Sequence, residues 1–450
     1  MGDFIGSVWW MVVSLGLLVT FHEFGHYWVA RRCGVKVLRF SIGFGRPLWT
    51  WRDRHGTEFV IALLPLGGYV RMLDEREGHV HPAERAQAFN HKTVWQRIAI
   101  VAAGPIANVV LCLALLWAMF LVGRADYSAT LGPVQGLAAE AGLQAGDRLT
   151  AVNDSPVNSW AEASIALTLA ALDRHDASVR VLSADDTPRQ ATLRLSQLPA
   201  GFAEQQVPAL AGLSWAFAQR PAVVADIAPG SPAEGILQAG DRLLAIDGQP
   251  VASADQVEPQ IAALGRRGGP GMVEVERDGE RLALELTPRQ DASVPGGWRI
   301  GVALGSGTAP AYDMREQYGP LAAVPVAIRE GGRMTANNLG MIKRLVTGNA
   351  SLKNVTGPVG IARVANASAK RGLDWFLYFL ATLSLGLAIL NFLPIPILDG
   401  GHLLYYLIEL IKGSPLSERA MIAGQYVGLA VLAGLMGLAF YNDILGQLPR

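Results

Sequence analysis

Apolar and polar positions follow two distinct patterns along this chain. Four apolar runs, 4–30, 98–122, 375–398 and 421–440, are long enough for a helix to cross the hydrocarbon core of a bilayer, the last only just. Elsewhere the period shortens to two. Residues 40–51 and 58–72 alternate apolar and polar around turn residues, with Gly43-Phe44-Gly45 in one arm and Gly67-Gly68-Tyr69 in the other, which predicts a β-hairpin. Segments 272–276 and 282–286 alternate in the same way, as half-buried strands do. Residues 334–345 instead read as an amphipathic helix, with Met334, Met341, Ile342 and Leu345 apolar and Lys343 and Arg344 charged. Such a helix lies along a membrane surface, where it could gate access, or packs on a soluble domain.

The stretch between the second and third runs repeats itself. Gln144-Ala145-Gly146-Asp147-Arg148-Leu149 recurs 94 residues later as Gln238-Ala239-Gly240-Asp241-Arg242-Leu243, and Pro156-Val157 as Pro250-Val251. An offset that large suggests two copies of one small domain and not a solenoid. Each copy reads as a short helix, a Gly-Asp turn, a strand, and a tight turn at Asn153-Asp154 or Asp247-Gly248. The pattern resembles the PDZ domains of bacterial proteases, which capture peptides by adding a strand to a sheet edge. A spacer or steric cover that binds nothing fits the repeat equally well.

Composition places these elements in a membrane. Hydrophobic residues make up 51% of the 450 and charged residues only 17%. Thirty-eight basic residues balance 38 acidic ones, so charge gives no reason to expect a nucleic-acid partner. The two cysteines, Cys33 and Cys112, lie outside the repeats, which therefore carry no disulfide. The opening Met1-Gly2-Asp3 lacks a basic n-region and Arg31-Arg32 follow the first run, so that run reads as a retained span and not a cleaved signal peptide. Arg and Lys crowd residues 31–97, which puts that loop in the cytoplasm, the N-terminus and the repeats outside, and Lys412 and Arg419 back in the cytoplasm.

Chemistry enters with His22-Glu23-Phe24-Gly25-His26, inside the first run. Four residues apart on a helix, His22 and His26 share a face as two metal ligands must, and Glu23 is placed to take a proton from a metal-activated water. Ionisable groups within a membrane-length apolar run are costly unless paired or metal-bound. A catalytic zinc takes three protein ligands and keeps one position open. The third run ends Asn391-Phe392-Leu393-Pro394-Ile395-Pro396-Ile397-Leu398-Asp399-Gly400-Gly401-His402, where the prolines must break the helix. Asp399 and His402 are the candidate third ligands. The first and third spans run in the same direction, so His26 and Asp399 fall at the same membrane edge, which favours Asp399. Asn391 could hydrogen-bond a scissile carbonyl or an unwound substrate backbone, or could serve only to pack helices.

His22-Glu23-x-x-His26, the Asn391-to-Gly400 segment and the paired repeats between the second and third spans together resemble the site-2 protease family over essentially the whole chain. The fold this implies is a polytopic α-helical membrane protein of four transmembrane helices, with a membrane-associated β-hairpin and two tandem PDZ-like α/β domains. The expected divisions are 1–30 for the first helix with the zinc motif, 31–97 for the hairpin region and 98–122 for the second helix. The PDZ-like domains follow at 123–219 and 220–310, and an amphipathic connector at 311–373. The third helix with its Asp ligand takes 374–399, and 400–450 holds a cytoplasmic loop and the fourth helix.

The resemblance further implies that His22, His26 and Asp399 bind one catalytic Zn2+, that Glu23 is the general base, and that Asn391 assists substrate or oxyanion binding. Gly43, Phe44, Gly45, Gly67, Gly68 and Tyr69 would clamp an extended substrate by strand addition; a plain β-subdomain is the alternative. Gly104-Pro105 and Asn108 match the family's G-P-x-x-N, with a kink and a polar packing contact as their ordinary reading. The expected setting is the bacterial inner membrane, with the repeats periplasmic and the active site near the cytoplasmic side. Expected partners are the lipid bilayer and a single-span membrane substrate, such as an anti-sigma factor already cut in the periplasm, with remnant signal peptides a second class. The readings to set against this are a membrane-tethered PDZ scaffold with a structural or inactive metal site, and a site-2 protease of another pathway.

Overall fold

A computed structural model describes all residues except 1, 77, 200–201, 203, 217–221, 252, 292–296, 306–311, 353–354 and 446–450. Two compact units emerge, 1–125 with 315–450, and 126–314 inserted between them. The divisions expected at 219/220 and 310/311 lie outside the described residues.

The first unit begins with α1 (Gly2–Arg32), β1 (Val37–Arg52), β2 (Glu58–Met72) and α2 (Val94–Val122). Arg31 and Arg32 sit in the last turn of α1, where positive charge complements the helix dipole. A capping box starts α2: the Thr93 hydroxyl accepts from the Gln96 amide, and the Gln96 side chain accepts from the Thr93 N–H. The expected hairpin is present, but its strands do not run straight. Residues 39–42 pair with 58–61 on one side and 68–71 on the other, so each strand bends and returns to make a four-segment sheet. Gly43 turns the first bend at φ +93°, where a Cβ would also sit 2.8 Å from the Leu64 carbonyl oxygen. The last segment, 68–72, is a sheet edge.

Through β3 (Arg124–Asp126) the chain enters the second unit. The first copy of the repeat holds α3 (Gly136–Glu140), β4 (Arg148–Val152), β5 (Ser155–Pro156), α4 (Trp160–Leu172), β6 (Ala177–Leu182), β7 (Pro188–Leu193) and α5 (Val207–Leu210). The second holds β8 (Val223–Ile227), β9 (Arg242–Ile246), β10 (Gln249–Pro250), α6 (Val257–Arg267), β11 (Gly271–Arg277), β12 (Glu280–Leu286), β13 (Arg289–Gln290), β14 (Trp298–Arg299) and β15 (Val302–Gly305). Strand order β5-β4-β6-β7 in one matches β10-β9-β11-β12 in the other, which β8 and β15 extend. Each copy closes over its own apolar core, one around Leu149, Leu167 and Leu193, the other around Leu243, Ile261 and Val273.

The tight turns are equivalent too, with Asn153 and Asp247 both at φ +51°. One expected element differs: the short helix α3 of the first copy is replaced by turns at 231–237 in the second. Asp147 and Asp241 are both buried in their turns, accepting from the Gln144 and Gln238 amides at 2.8 Å. Each is neutralised by an arginine, Arg189 at 2.6 Å and Arg277 at 2.7 Å. Those arginines come from β7 and β11, which the 94-residue offset does not relate, so the same buried carboxylate is matched from two different strands. Hydrogen bonds from Arg277 hold the Asp241 carboxyl below the usual carboxylate range, against the opposing effect of burial.

The chain returns to the first unit through β16 (Met314–Glu316), which pairs with β3. Then follow α7 (Pro320–Val346), α8 (Pro358–Arg371), α9 (Leu373–Phe392), α10 (Asp399–Lys412) and α11 (Glu418–Leu445). Among the described residues four helices are long and apolar enough to cross a membrane: 4–32, 94–122, 373–392 and 419–444. With the sheet-rich insert, this is the architecture of a membrane protein carrying a β domain.

The connector expected at 311–373 contains two helices. The longer, α7, starts well before residue 334 and packs Ala323, Ala327 and Met334 against Leu115, Leu116 and Met119 of α2, leaving Leu321, Val324 and Ile328 exposed. The shorter, α8, packs on α1 and α9 and is not predicted by the sequence pattern. Asp443 of α11 accepts from the backbone amides of Gly357, Val359 and Gly360 at 3.2, 2.9 and 3.2 Å, satisfying the open amides where α8 starts. The third span ends at Phe392 and does not reach 398, because Pro394 and Pro396 cannot continue it; Asp399 is the first residue of the next helix.

Candidate metal centre

Three side chains from two distant segments converge within the first unit. Nε2 of His22 lies 3.2 Å from Nε2 of His26, and the two stand 3.1 and 3.4 Å from Oδ2 of Asp399. A metal held at the usual 2.0–2.1 Å in tetrahedral geometry needs ligand atoms about 3.3 Å apart. The three edges match that value, and the donor set of two imidazoles and one carboxylate suits zinc. His22, His26 and Asp399 are also the one such group among the described residues. A closed, four-ligand site is not formed, because His402 lines the same cavity without joining the group.

Backbone close-packing makes this convergence possible. A Cβ on Gly25 would overlap the Ala103 carbonyl, so the glycine inside the histidine motif is what lets α1 lie against α2. A Cβ on Gly104 would overlap Nε2 of His26 and come within 2.8 Å of Cε1 of His22. On the far side, Gly401 lets α10 start against the proline turn, where a Cβ would lie 2.6 Å from the Ile395 carbonyl oxygen. Ile397 in that turn has φ +107°, a conformation rarely open to a β-branched residue, and the strain sits two residues from Asp399. The Asp399 carboxylate gains from the first-turn amides of α10.

Helix α2 also orients the imidazoles. Nδ1 of His26 lies 2.9 Å from the Ile100 carbonyl oxygen, and Nδ1 of His22 lies 3.3 Å from Nδ2 of Asn108. Glu23 lines the same cavity as Val70, on the sheet edge. Gly68 permits this approach, since a Cβ there would lie 2.7 Å from the Ser41 carbonyl oxygen and 3.2 Å from Cγ of Glu23. The cavity enclosing these groups measures about 490 Å³ and reaches past Tyr69 and Val70 to Asp74, Arg76 and Gln425.

The other expected site residues divide. Tyr69 lines the cavity, Phe44 stacks on it with ring centroids 6.1 Å apart, and Gly67 is bare beneath the Phe44 ring. Gly43 shapes the bend, and Gly45, at φ +89°, has room for a Cβ, which would meet Leu64 Cδ1 at an ordinary 3.9 Å. Asn391 sits half-buried in the last turn of α9, outside the residues that line the cavity. Sequence reasoning passed over Ile100, which acts through a backbone carbonyl that every residue type shares. Gln425 was also missed, although a carboxamide in an apolar span is a signal that could have found it.

Comparison with known proteins points the same way. The family model described as Peptidase family M50 matches residues 10–435. A protein of Xylella fastidiosa (strain 9a5c), named "Putative zinc metalloprotease", is 62% identical over 446 residues, 99% of this chain and 100% of that protein. Protease RseP of Yersinia pestis is 40% identical over 443 residues, 96% of this chain and 97% of its own length. Regulator of sigma-E protease RseP of Escherichia coli (strain K12) is 39% identical over 443 residues, with the same coverage of both chains.

Proposed function

Because the chain belongs to peptidase family M50, the site-2 proteases, and is a zinc metalloprotease of the bacterial inner membrane, we propose that it hydrolyses peptide bonds within the transmembrane segments of single-span proteins. The observation that carries this reading is the triangle of His22, His26 and Asp399 inside one cavity, with Glu23 beside it. In this reading His22, His26 and Asp399 hold the ion and Glu23 is the general base.

Bound zinc supplies the Lewis acidity that polarises the scissile carbonyl and makes water acidic enough to attack near neutral pH. Glu23 takes a proton from the attacking water as its oxygen adds to the carbonyl carbon, then passes that proton to the amide nitrogen as the C–N bond breaks. Helical substrates hide their carbonyls in internal hydrogen bonds, so the segment must unwind before it can react. The exposed edge at 68–72, running beside Glu23, suits an added strand, and Gly43, Phe44, Gly45, Gly67, Gly68 and Tyr69 shape that edge. Asn391 belongs to the same reading as a donor to the unwound backbone, since its side-chain amide forms no hydrogen bond among the described residues and sits half-buried at the end of α9.

The repeats are PDZ-like domains in the periplasm and act as a steric filter that turns away substrates with intact periplasmic domains. The site then lies near the cytoplasmic face, where the arginine-rich 31–97 segment belongs. Relatives named for the regulation of sigma-E favour an anti-sigma factor, already shortened outside, as the substrate. Remnant signal peptides fit the same cavity chemistry. Comparing membrane peptides from cells carrying the active chain with those carrying Glu23→Gln tests this. Transmembrane remnants, an anti-sigma fragment among them, should accumulate only in the mutant. Identical peptide profiles would refute the substrate assignment.

A further inference from the structure

Behind the His22 ring lies a buried amide, that of Asn108, whose chemistry is only half used. We propose that Asn108 is a positioning residue that fixes the tautomer and tilt of His22 by accepting a hydrogen bond from its Nδ1–H. The proposal rests on the zinc reading of the site. In the triangle, His22 presents Nε2. A neutral imidazole carries a single N–H, so a ring that offers the Nε2 lone pair must bear its proton on Nδ1, and that proton needs an acceptor. His26 has one in the Ile100 carbonyl. For His22 the group within reach is the Asn108 amide, 3.3 Å from Nδ1.

Asn108 is 0% exposed, and its Oδ1 has no hydrogen-bond partner among the described residues. An idle acceptor thus stands beside the ring nitrogen that requires one. Turning the amide by 180° exchanges Nδ2 for Oδ1 and completes the bond, an exchange that costs no volume. The residue is also well anchored. Oγ of Ser384 on α9 donates to the Asn108 backbone carbonyl at 2.8 Å, and Gly104, one helical turn earlier, clears space for both rings. If Asn108 served packing alone, a leucine of similar size would fill its place better than an amide with an unsatisfied oxygen.

The test is zinc affinity, measured by competition with a chelator on the full chain in detergent, together with the visible spectrum of the Co2+-loaded protein. Asn108→Leu should weaken zinc binding by about 10- to 100-fold and alter the Co2+ spectrum, as loss of an outer-shell partner does. Asn108→Asp keeps an acceptor oxygen at the same place and should hold zinc at least as tightly as the native chain. Native affinity and an unchanged Co2+ spectrum in Asn108→Leu would overturn the assignment. So would an Asn108→Asp protein that loses zinc, a result that stands even if the leucine variant does not fold. A native chain that takes up no zinc would overturn the metal-site reading along with it.

Discussion

Glu23→Gln should lower peptide cleavage by about 10²- to 10⁴-fold while zinc content stays at the native level. The two effects separate because Glu23 lies in the cavity but outside the triangle of ligand atoms. Glutamine matches glutamate in size, so the edge strand packed beside it at Gly68 has no reason to move. What glutamine cannot do is take a proton from water at neutral pH. Zinc measured by elemental analysis, alongside cleavage of a tagged single-span substrate, reads both quantities on one preparation. Native cleavage in this variant would remove Glu23 from the mechanism. Loss of zinc together with activity would make it a ligand.

Gly104→Ala should empty the metal site although it touches no ligand by sequence. The added methyl would occupy the space of Nε2 of His26 and press on the His22 ring, so the rings must swing apart and the triangle must open. A loss of zinc affinity of at least about 100-fold follows, the upper end of what outer-shell changes cause. Alanine is the better helix former by about 1 kcal/mol, so α2 itself should not weaken through helix propensity. Thermal unfolding with and without zinc distinguishes the two effects. The variant should show a native-like apo transition and little further stabilisation by added zinc, because a ligand stabilises only as far as it binds. Full zinc occupancy in Gly104→Ala would contradict the packing described for α1 and α2.

How far the sequence was readable varies with the physics behind each feature. The four spans were readable because membrane length imposes a minimum apolar run, and their observed limits differ mainly at helix ends. The apolar run of the third outlasts its helix, because hydropathy scores Pro394 and Pro396 by polarity whereas the backbone responds to their missing N–H groups, the break that the two prolines announce in the sequence. The repeat was visible through a shared Gly-Asp turn, yet the arginines that neutralise Asp147 and Asp241 come from unrelated positions and left no trace at the 94-residue offset. The bent strands escaped notice because alternation reports only which face is buried, and residues 39–42 keep the same alternation whether they pair on one side or both.

At the site, the divide runs between side chains and backbone. His22, His26 and Asp399 could be named because their chemistry is specific, and α1 and α10 bring them together. Gly104 and Asn108 drew attention as a motif, but the contact with the two rings depends on how α1 and α2 pack, which Gly25 controls. The carbonyl of Ile100 is an atom present at every position, so no residue type could have announced it.

The central claim is that this zinc centre cuts a substrate inside the membrane. Reconstituting the zinc-loaded chain in lipid bilayers with a single-span substrate, and mapping the cleaved bond by mass spectrometry, tests it most directly. The expected result is a cut within the apolar span of the substrate that disappears on chelation and with Glu23→Gln. A cut confined to residues outside that span, or cleavage that survives removal of zinc, would contradict it.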